Sequence, residues 1–247
     1  MQKNWILSLH PLTKVYFTLM IAISVFIVSS YWFAFSMFPV CIVIAALAGV
    51  HKEFLKNVFL ALSFLLVVVF FMQAFFYPGN EVVWEFGFLT IKAEGIQYGL
   101  MMTSRILAIG SAFLLFFRIT TIRDFVKSLE DIGLPPMGAY VVLSTLQIIP
   151  EMKKHSKIIM DAQKTRGIET EGSVWVRAKA FIPTLTPLIL SSIASTEERA
   201  ITLEARAFMK KTKKTNLHKL TKGPIDRVLP IVFILIIIGL IIGRVLS

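Results

Sequence analysis

Long apolar stretches separated by short polar loops fill the first half of the sequence, and one more apolar stretch lies near its end. A helix that spans a bilayer needs about 20 largely apolar residues. Five stretches approach that length and contain few or no charged residues. We therefore predict five membrane-spanning helices, over 15–29, 32–50, 57–76, 96–117 and 228–245.

The region between the fourth and fifth spans has a different pattern. It contains two apolar runs, 137–149 and 181–194, which are too short to cross a bilayer and are typical of re-entrant, interfacial or protein-buried segments. Pro150 is expected to end the first run, and Pro183 and Pro187 to interrupt the second. After the first run, polar and apolar positions alternate with helical periodicity, which predicts an amphipathic surface helix. We expect an all-α integral membrane protein with about five spans and long amphipathic cytoplasmic helices.

Charge follows the same division. Residues 118–227 carry nineteen of the 26 Lys and Arg residues and eleven of the 15 acidic residues. The predicted organisation is therefore a membrane part over 1–117, a cytoplasmic or interfacial part over 118–224, and a last membrane helix over 225–247. Because positively charged loops stay on the cytoplasmic side, the N-terminus is expected inside and the C-terminus outside. A cleaved signal peptide is disfavoured, since no small-x-small site follows the first apolar run.

Several kinds of site are disfavoured by composition. Cys41 is the only cysteine and the four histidines are scattered, so neither an intrachain disulfide nor a metal centre is expected. The lysine-rich run 210–222 has no interleaved aromatic residue, which favours contact with anionic membrane lipid over nucleic acid. Glu81, Glu85 and Glu94 flank a predicted extracellular turn and are expected to be solvated. Arg105, inside the fourth span, is open to two interpretations: a structural residue or one that holds the cytoplasmic part.

Two short motifs in the basic part stand out, Ala162–Gly167 and Ile201–Phe208. Each places an arginine near the end of a predicted amphipathic helix, followed by a small residue. Gly167 is a plausible helix stop, and an arginine there also meets the negative end of the helix dipole. One interpretation is therefore that both are ordinary arginines at helix C-termini. The alternative is that they form a contact surface, because a guanidinium at the end of a helix can bind carboxylates and carbonyls of a partner protein.

With these motifs the sequence resembles the transmembrane T component of energy-coupling factor (ECF) transporters, whose hallmark is a pair of Ala-Arg-Gly motifs. The pair here is Thr165-Arg166-Gly167 and Ala205-Arg206-Ala207, and each departs from the pattern at one position. Further segments resemble the family in the same order along the chain: 10–14, 120–121, 132–136, 149–151 and 204–206.

The resemblance implies a coupling subunit of a bacterial cell-membrane importer of vitamins or other micronutrients. It implies two partner ATPase subunits, held by Arg166 and Arg206 with the flanking Thr165, Gly167, Ala205 and Ala207. It also implies a substrate-binding S component, which would dock on the two apolar runs at Met137, Val141, Leu143, Leu185 and Leu188. The chain would need no cofactor, since ATP is bound by the partners; the sequence contains no GxxxxGK[ST] loop.

Two other functions are weighed from the residues. A membrane-embedded enzyme acting on a lipid or peptide would need Asp, Glu or His at membrane depth, and the five predicted spans contain none. A carrier with its own substrate site often shows internal repeats, and the first half of this sequence is not repeated in the second. The cargo cannot be read from this chain, because in the resembled family the S component selects it.

Overall fold

The protein is described by a computed structural model covering residues 5–79, 81–86, 89–168, 172–210, 220 and 222–246. Within these residues the chain is almost entirely helical, with one short β-hairpin. The helices are α1 (Trp5–Ser8), α2 (Pro11–Ile27), α3 (Tyr31–Leu47), α4 (His51–Phe76), α5 (Ala93–Ile119), α6 (Ile122–Ile132), α7 (Pro136–Thr165), α8 (Val174–Ala205) and α9 (Pro224–Leu246). The antiparallel strands β1 (Val82–Phe86) and β2 (Leu89–Lys92) join α4 to α5.

The chain divides into two compact units. The first comprises Met1–Ser128 and Leu220–Ser247, and the second comprises Leu129–Lys219. The first therefore contains the five predicted spans and the second contains α7 and α8.

A helix lies at each of the five predicted spans, which confirms an all-α integral membrane fold. By length and hydropathy, four helices in the described part of the chain can cross a membrane: His51–Phe76, Ala93–Ile119, Val174–Ala205 and Pro224–Val245. The helices α2 and α3 are equally apolar but shorter, with 17 residues each. The appearance of α8 among the four was not expected from the sequence.

The prediction that prolines would limit the two apolar runs of the basic part was wrong. Pro150 lies inside α7, which has 30 residues, and both Pro183 and Pro187 lie inside α8, which has 32. A proline removes one intrahelical hydrogen bond and crowds the preceding turn, so it bends a helix without always ending it. The apolar runs are therefore parts of two long helices.

Small residues allow α5 to pack closely against α4. A Cβ atom on Gly95 would lie 2.9 Å from the carbonyl oxygen of Gln73 and 3.0 Å from that of Ala74. Gly99 and Gly110 continue the same close packing, since a Cβ atom there would lie 3.3 Å from the Phe70 carbonyl oxygen and 2.8 Å from a Leu62 methyl carbon. Such small residues let membrane helices approach until their backbones are in contact.

The first and last long helices of this unit, α2 and α9, run parallel. At their N-terminal ends, the His10 N–H and the Thr13 hydroxyl both donate to Oδ1 of Asp226, at 2.9 and 3.0 Å. At their C-terminal ends, Arg244 donates to the carbonyl of Ile27 and to the Ser29 hydroxyl. The two helices are therefore tied at both ends.

The start of α2 also lies beside the end of α5. The Lys14 ammonium, which is buried, donates to the carbonyl of Ile119 at 2.8 Å and to that of Leu7 at 3.1 Å. Arg118, one residue before Ile119, forms an ion pair with Glu53 at the start of α4. One end of the unit thus gathers the starts of α2, α4 and α9 and the end of α5, and the β-hairpin lies at the other end.

Candidate functional site

The two motif arginines terminate the two long helices of the second unit with the same backbone geometry. Arg166 caps α7 at φ −86° and ψ 5°, and Arg206 caps α8 at φ −85° and ψ 5°. The next residue is left-handed in both cases, with φ +86° at Gly167 and φ +57° at Ala207.

Both ends have the hydrogen bonds of a Schellman motif. After α7, the N–H of Gly167 donates to the carbonyl of Lys164 (3.0 Å), and the N–H of Ile168 to that of Gln163 (3.2 Å). After α8, equivalent bonds join Ala207 to Glu204 (2.8 Å) and Phe208 to Leu203 (2.9 Å). This pattern satisfies carbonyls that a helix end otherwise leaves open, and it fixes the direction in which the cap residue points.

The residues of both motifs face solvent. Arg166 and Arg206 are exposed, as are the flanking Thr165, Gly167, Ala205 and Ala207. Within the part of the chain that the structure describes, neither guanidinium has a hydrogen bond or an ion pair. The Thr165 hydroxyl donates back to the carbonyl of Ala162 in its own helix. The two guanidiniums are therefore available to a partner.

Contacts between α7 and α8 place the arginines far apart. The helices are antiparallel: Tyr140 packs on Phe208 (ring centroids 5.2 Å apart) at one end, and the Gln163 side chain contacts the Pro183 carbonyl at the other. Arg206 is thus near Tyr140, whereas Arg166 follows Tyr140 by 26 positions on α7. At 1.5 Å of rise per residue, the two arginines are separated by roughly 40 Å.

An ion pair in the middle of this helix pair was missed by sequence reasoning. Arg199 donates to the Glu151 carboxylate at 2.6 Å. The pair borders a small cavity with further polar lining residues, His155, Ser191, Ser192, Ser195 and Thr196. The two partners are 48 positions apart in the sequence, so no local spacing signalled the pairing.

The residues considered for docking an S component differ in exposure. Met137, Val141 and Leu185 are exposed, and Leu143 is half-buried. Leu188 is buried against α7 and offers little surface. Ile149, Ile182 and Ile189 extend the exposed apolar surface of the two helices. Several large exposed apolar side chains on one pair of helices are typical of contact with lipid or with another protein.

Residues outside the motifs are placed as follows. The Arg105 guanidinium lies over the Phe26 ring, 5.5 Å from its centroid. Of the three loop acids, Glu94 contacts the N–H of Glu81 (3.3 Å). Among the described residues, no group of three or more His, Cys, Asp or Glu side chains is arranged to hold a metal ion.

Most of the lysine-rich run 210–222 lies outside the described residues.

Comparisons with known proteins point to the family whose motifs the sequence resembles. A family model described as "Cobalt transport protein" (CbiQ) matches residues 2–217. Similar proteins carry the name "Energy-coupling factor transporter transmembrane protein EcfT". The one from Ruminiclostridium cellulolyticum is 28% identical over 221 residues, which cover 85% of this chain and 82% of the relative. The one from Bacillus selenitireducens is 32% identical over 183 residues, covering 70% and 68%, and the one from Limosilactobacillus fermentum is 27% identical over 215 residues, covering 82% and 80%.

Proposed function

Because the chain belongs to the CbiQ/EcfT family of transporter transmembrane proteins, we propose that it couples ATP hydrolysis by partner subunits to the import of a micronutrient. The observation that carries this proposal is the pair of matched helix caps that present Arg166 and Arg206. A binding energy delivered at both caps acts on α7 and α8 together, because the helices are packed along their length.

The two caps suit a partner with two equivalent sites. They share one backbone geometry and lie roughly 40 Å apart at opposite ends of an antiparallel helix pair. An antiparallel pair has an approximate two-fold axis between its helices, so the caps are related as two subunits of a dimer are. We therefore assign one ATPase subunit to each arginine, which would bind a carboxylate or backbone carbonyls in the partner.

The exposed apolar side chains of α7 and α8 are the proposed surface for the S component. Met137, Val141 and Leu185 are the members that reach the surface, and Leu143 contributes in part. Leu188 would support this surface from beneath. The chain itself would hold no cofactor, with ATP bound by the partner subunits.

The orientation in the bacterial cell membrane is proposed from the first unit. The end that gathers the starts of α2, α4 and α9 with the end of α5 carries Lys14, Lys52, Lys56 and Arg118. The other end carries only Lys92 and Arg244 among the basic residues of its helix termini and hairpin. By the positive-inside rule the first end is cytoplasmic. The N-terminus then lies inside and the C-terminus outside.

The proposal is tested by Arg166→Ala, Arg206→Ala and the double variant, with the exposed Arg227→Ala as the matched control. The assays are co-purification of the ATPase subunits and cargo uptake by proteoliposomes that contain the assembled complex. Each single change is expected to weaken both, and the double change to abolish both, since a hydrogen-bonded guanidinium contributes about 1.5–3 kcal/mol. A double variant that assembles and imports like the Arg227→Ala control would refute the proposal.

A further inference from the structure

Gln163 is a buried polar residue three positions before Arg166. Its side chain is among the few buried polar groups of the second unit, with 7% of its surface exposed. Its Nε2 atom donates to the carbonyl oxygen of Pro183 on α8, at 3.4 Å. A buried amide needs such a partner, because burial without one costs more than the hydrogen bond itself contributes.

The Pro183 carbonyl is a particular acceptor. In a regular α-helix it would receive the N–H of the residue four positions later. That residue is Pro187, which has no N–H. Gln163, on the neighbouring helix, therefore supplies the hydrogen-bond donor that is missing at Pro187. The adjacent Ala180 and Thr184 are fully or almost fully buried, so solvent is a poor substitute.

The backbone of Gln163 belongs to the Arg166 cap. Its carbonyl accepts the N–H of Arg166 at 3.1 Å and the N–H of Ile168 at 3.2 Å. The same residue thus accepts the cap hydrogen bonds at the end of α7 with its main chain and donates to the Pro183 carbonyl of α8 with its side chain. At the corresponding position of the Arg206 cap the residue is Leu203, which has no side-chain donor.

We propose that Gln163 is a positioning residue that joins the Arg166 cap to the Pro183–Pro187 turn of α8, so that displacement of this cap moves α8. The inference rests on the proposed function, because it takes Arg166 to be a point at which a partner ATPase acts. It adds an asymmetry: the Arg166 cap is joined to the opposite helix by this side-chain hydrogen bond, whereas the Arg206 cap contacts the opposite helix through the rings of Phe208 and Tyr140.

The test is a double-mutant cycle in the assembled transporter. Gln163→Met keeps the size of the side chain and removes the donor, and Pro187→Ala returns a backbone N–H to the Pro183 carbonyl. Pro150→Ala is the control for removing a proline elsewhere in the helix pair, and the exposed Gln97→Met is the control for the change of side chain. The readouts are cargo imported per ATP hydrolysed and co-purification of the ATPase subunits.

Gln163→Met is expected to lower cargo imported per ATP by about 3- to 10-fold, the equivalent of one hydrogen bond, with the ATPases still bound. The loss is expected to shrink to less than 2-fold when Gln163→Met is compared with its parent in the Pro187→Ala background, and to persist in the Pro150→Ala background. An equal loss in all three backgrounds, or no loss in any, would overturn the inference.

The two proposals fail in different variants. If Arg166→Ala and Arg206→Ala leave assembly and uptake intact, the proposed function is wrong. If those variants lose uptake while the Gln163 cycle shows no dependence on Pro187, the proposed function stands and the positioning role of Gln163 is wrong.

Discussion

The contact between the starts of α2 and α9 allows a stability prediction with an internal control on the same helix. Thr13 and Thr18 are both buried residues of α2. The Thr13 hydroxyl donates to the Asp226 carboxylate of α9 at 3.0 Å, whereas the Thr18 hydroxyl donates to the Lys14 carbonyl of its own helix at 3.0 Å. Replacing each with valine makes the same chemical change in two different settings.

The expected magnitudes differ because the acceptors differ. A hydrogen bond to a charged group contributes about 1.5–3 kcal/mol. In Thr13→Val the carboxylate keeps the N–H groups of His10 and Gly223, so we expect the lower part of that range, about 1.5–2 kcal/mol. In Thr18→Val the Lys14 carbonyl keeps its regular helical donor, and we expect a loss of about 0.5 kcal/mol or less. Changes in helix propensity and in side-chain size are common to both variants.

The measurement is the free energy of unfolding of the purified protein, from reversible denaturant titration in mixed micelles followed by tryptophan fluorescence. The difference between the two variants should be about 1 kcal/mol or more, with Thr13→Val the less stable. If Thr18→Val costs as much as Thr13→Val, the bond to Asp226 does not stabilise the pairing of α2 with α9, and the reasoning is refuted.

Two further predictions follow from the glycine and cap positions. Gly95→Ala places a Cβ 2.9 Å from the Gln73 carbonyl oxygen and should lower the free energy of unfolding by about 1–3 kcal/mol in the same titration. Gly239→Ala is the control, because a Cβ there meets nothing within 4 Å, and it should be neutral or slightly stabilising. Equal effects of the two changes would contradict the close packing of α4 and α5. Ala207→Gly should relieve the strain of a left-handed alanine and slow hydrogen exchange at the α8 cap, whereas Gly167→Ala should introduce that strain and speed exchange at the α7 cap. Each change in the local opening free energy should be about 1 kcal/mol or less. If exchange changes in the same direction in both variants, the result is inconsistent with the two φ values.

The five long helices of the first unit were predictable because hydropathy alone locates them, whereas the short α1 and the amphipathic α6 were not predicted. Each predicted span lies within a helix or overlaps one almost completely, and most differences are confined to the ends, where polar residues such as His51 extend a helix into the loop. The lengths of α7 and α8 were not predictable in this way. A proline removes a hydrogen-bond donor within its own helix, but the free-energy cost of that loss depends on whether the neighbouring helix supplies another donor. The contact of Gln163 with Pro183 joins two different helices, so it could not be predicted from local sequence.

The candidate site was predictable in part for a similar reason. Glycine at 167 is a recognisable helix stop, so the first cap could be anticipated. Ala207 gives no such signal, since alanine is normally right-handed, and its φ of +57° appears only in the structure. Asp226 was missed as well, because its partners His10 and Thr13 lie more than 200 positions away.

The tie between Thr13 and Asp226 also has a consequence for how the protein is made. The two residues are 213 positions apart, so at about 5–20 residues per second a ribosome needs roughly 10–40 s to deliver the second after the first. During that time α2 can dock on α5, through Lys14 and the Ile119 carbonyl, but its α9 partner does not yet exist. Until then the hydroxyl of Thr13 and the N–H of His10 lack the Asp226 acceptor that they have in the complete fold. Completion of the fold therefore depends on the late insertion of α9 beside a helix that entered the membrane first.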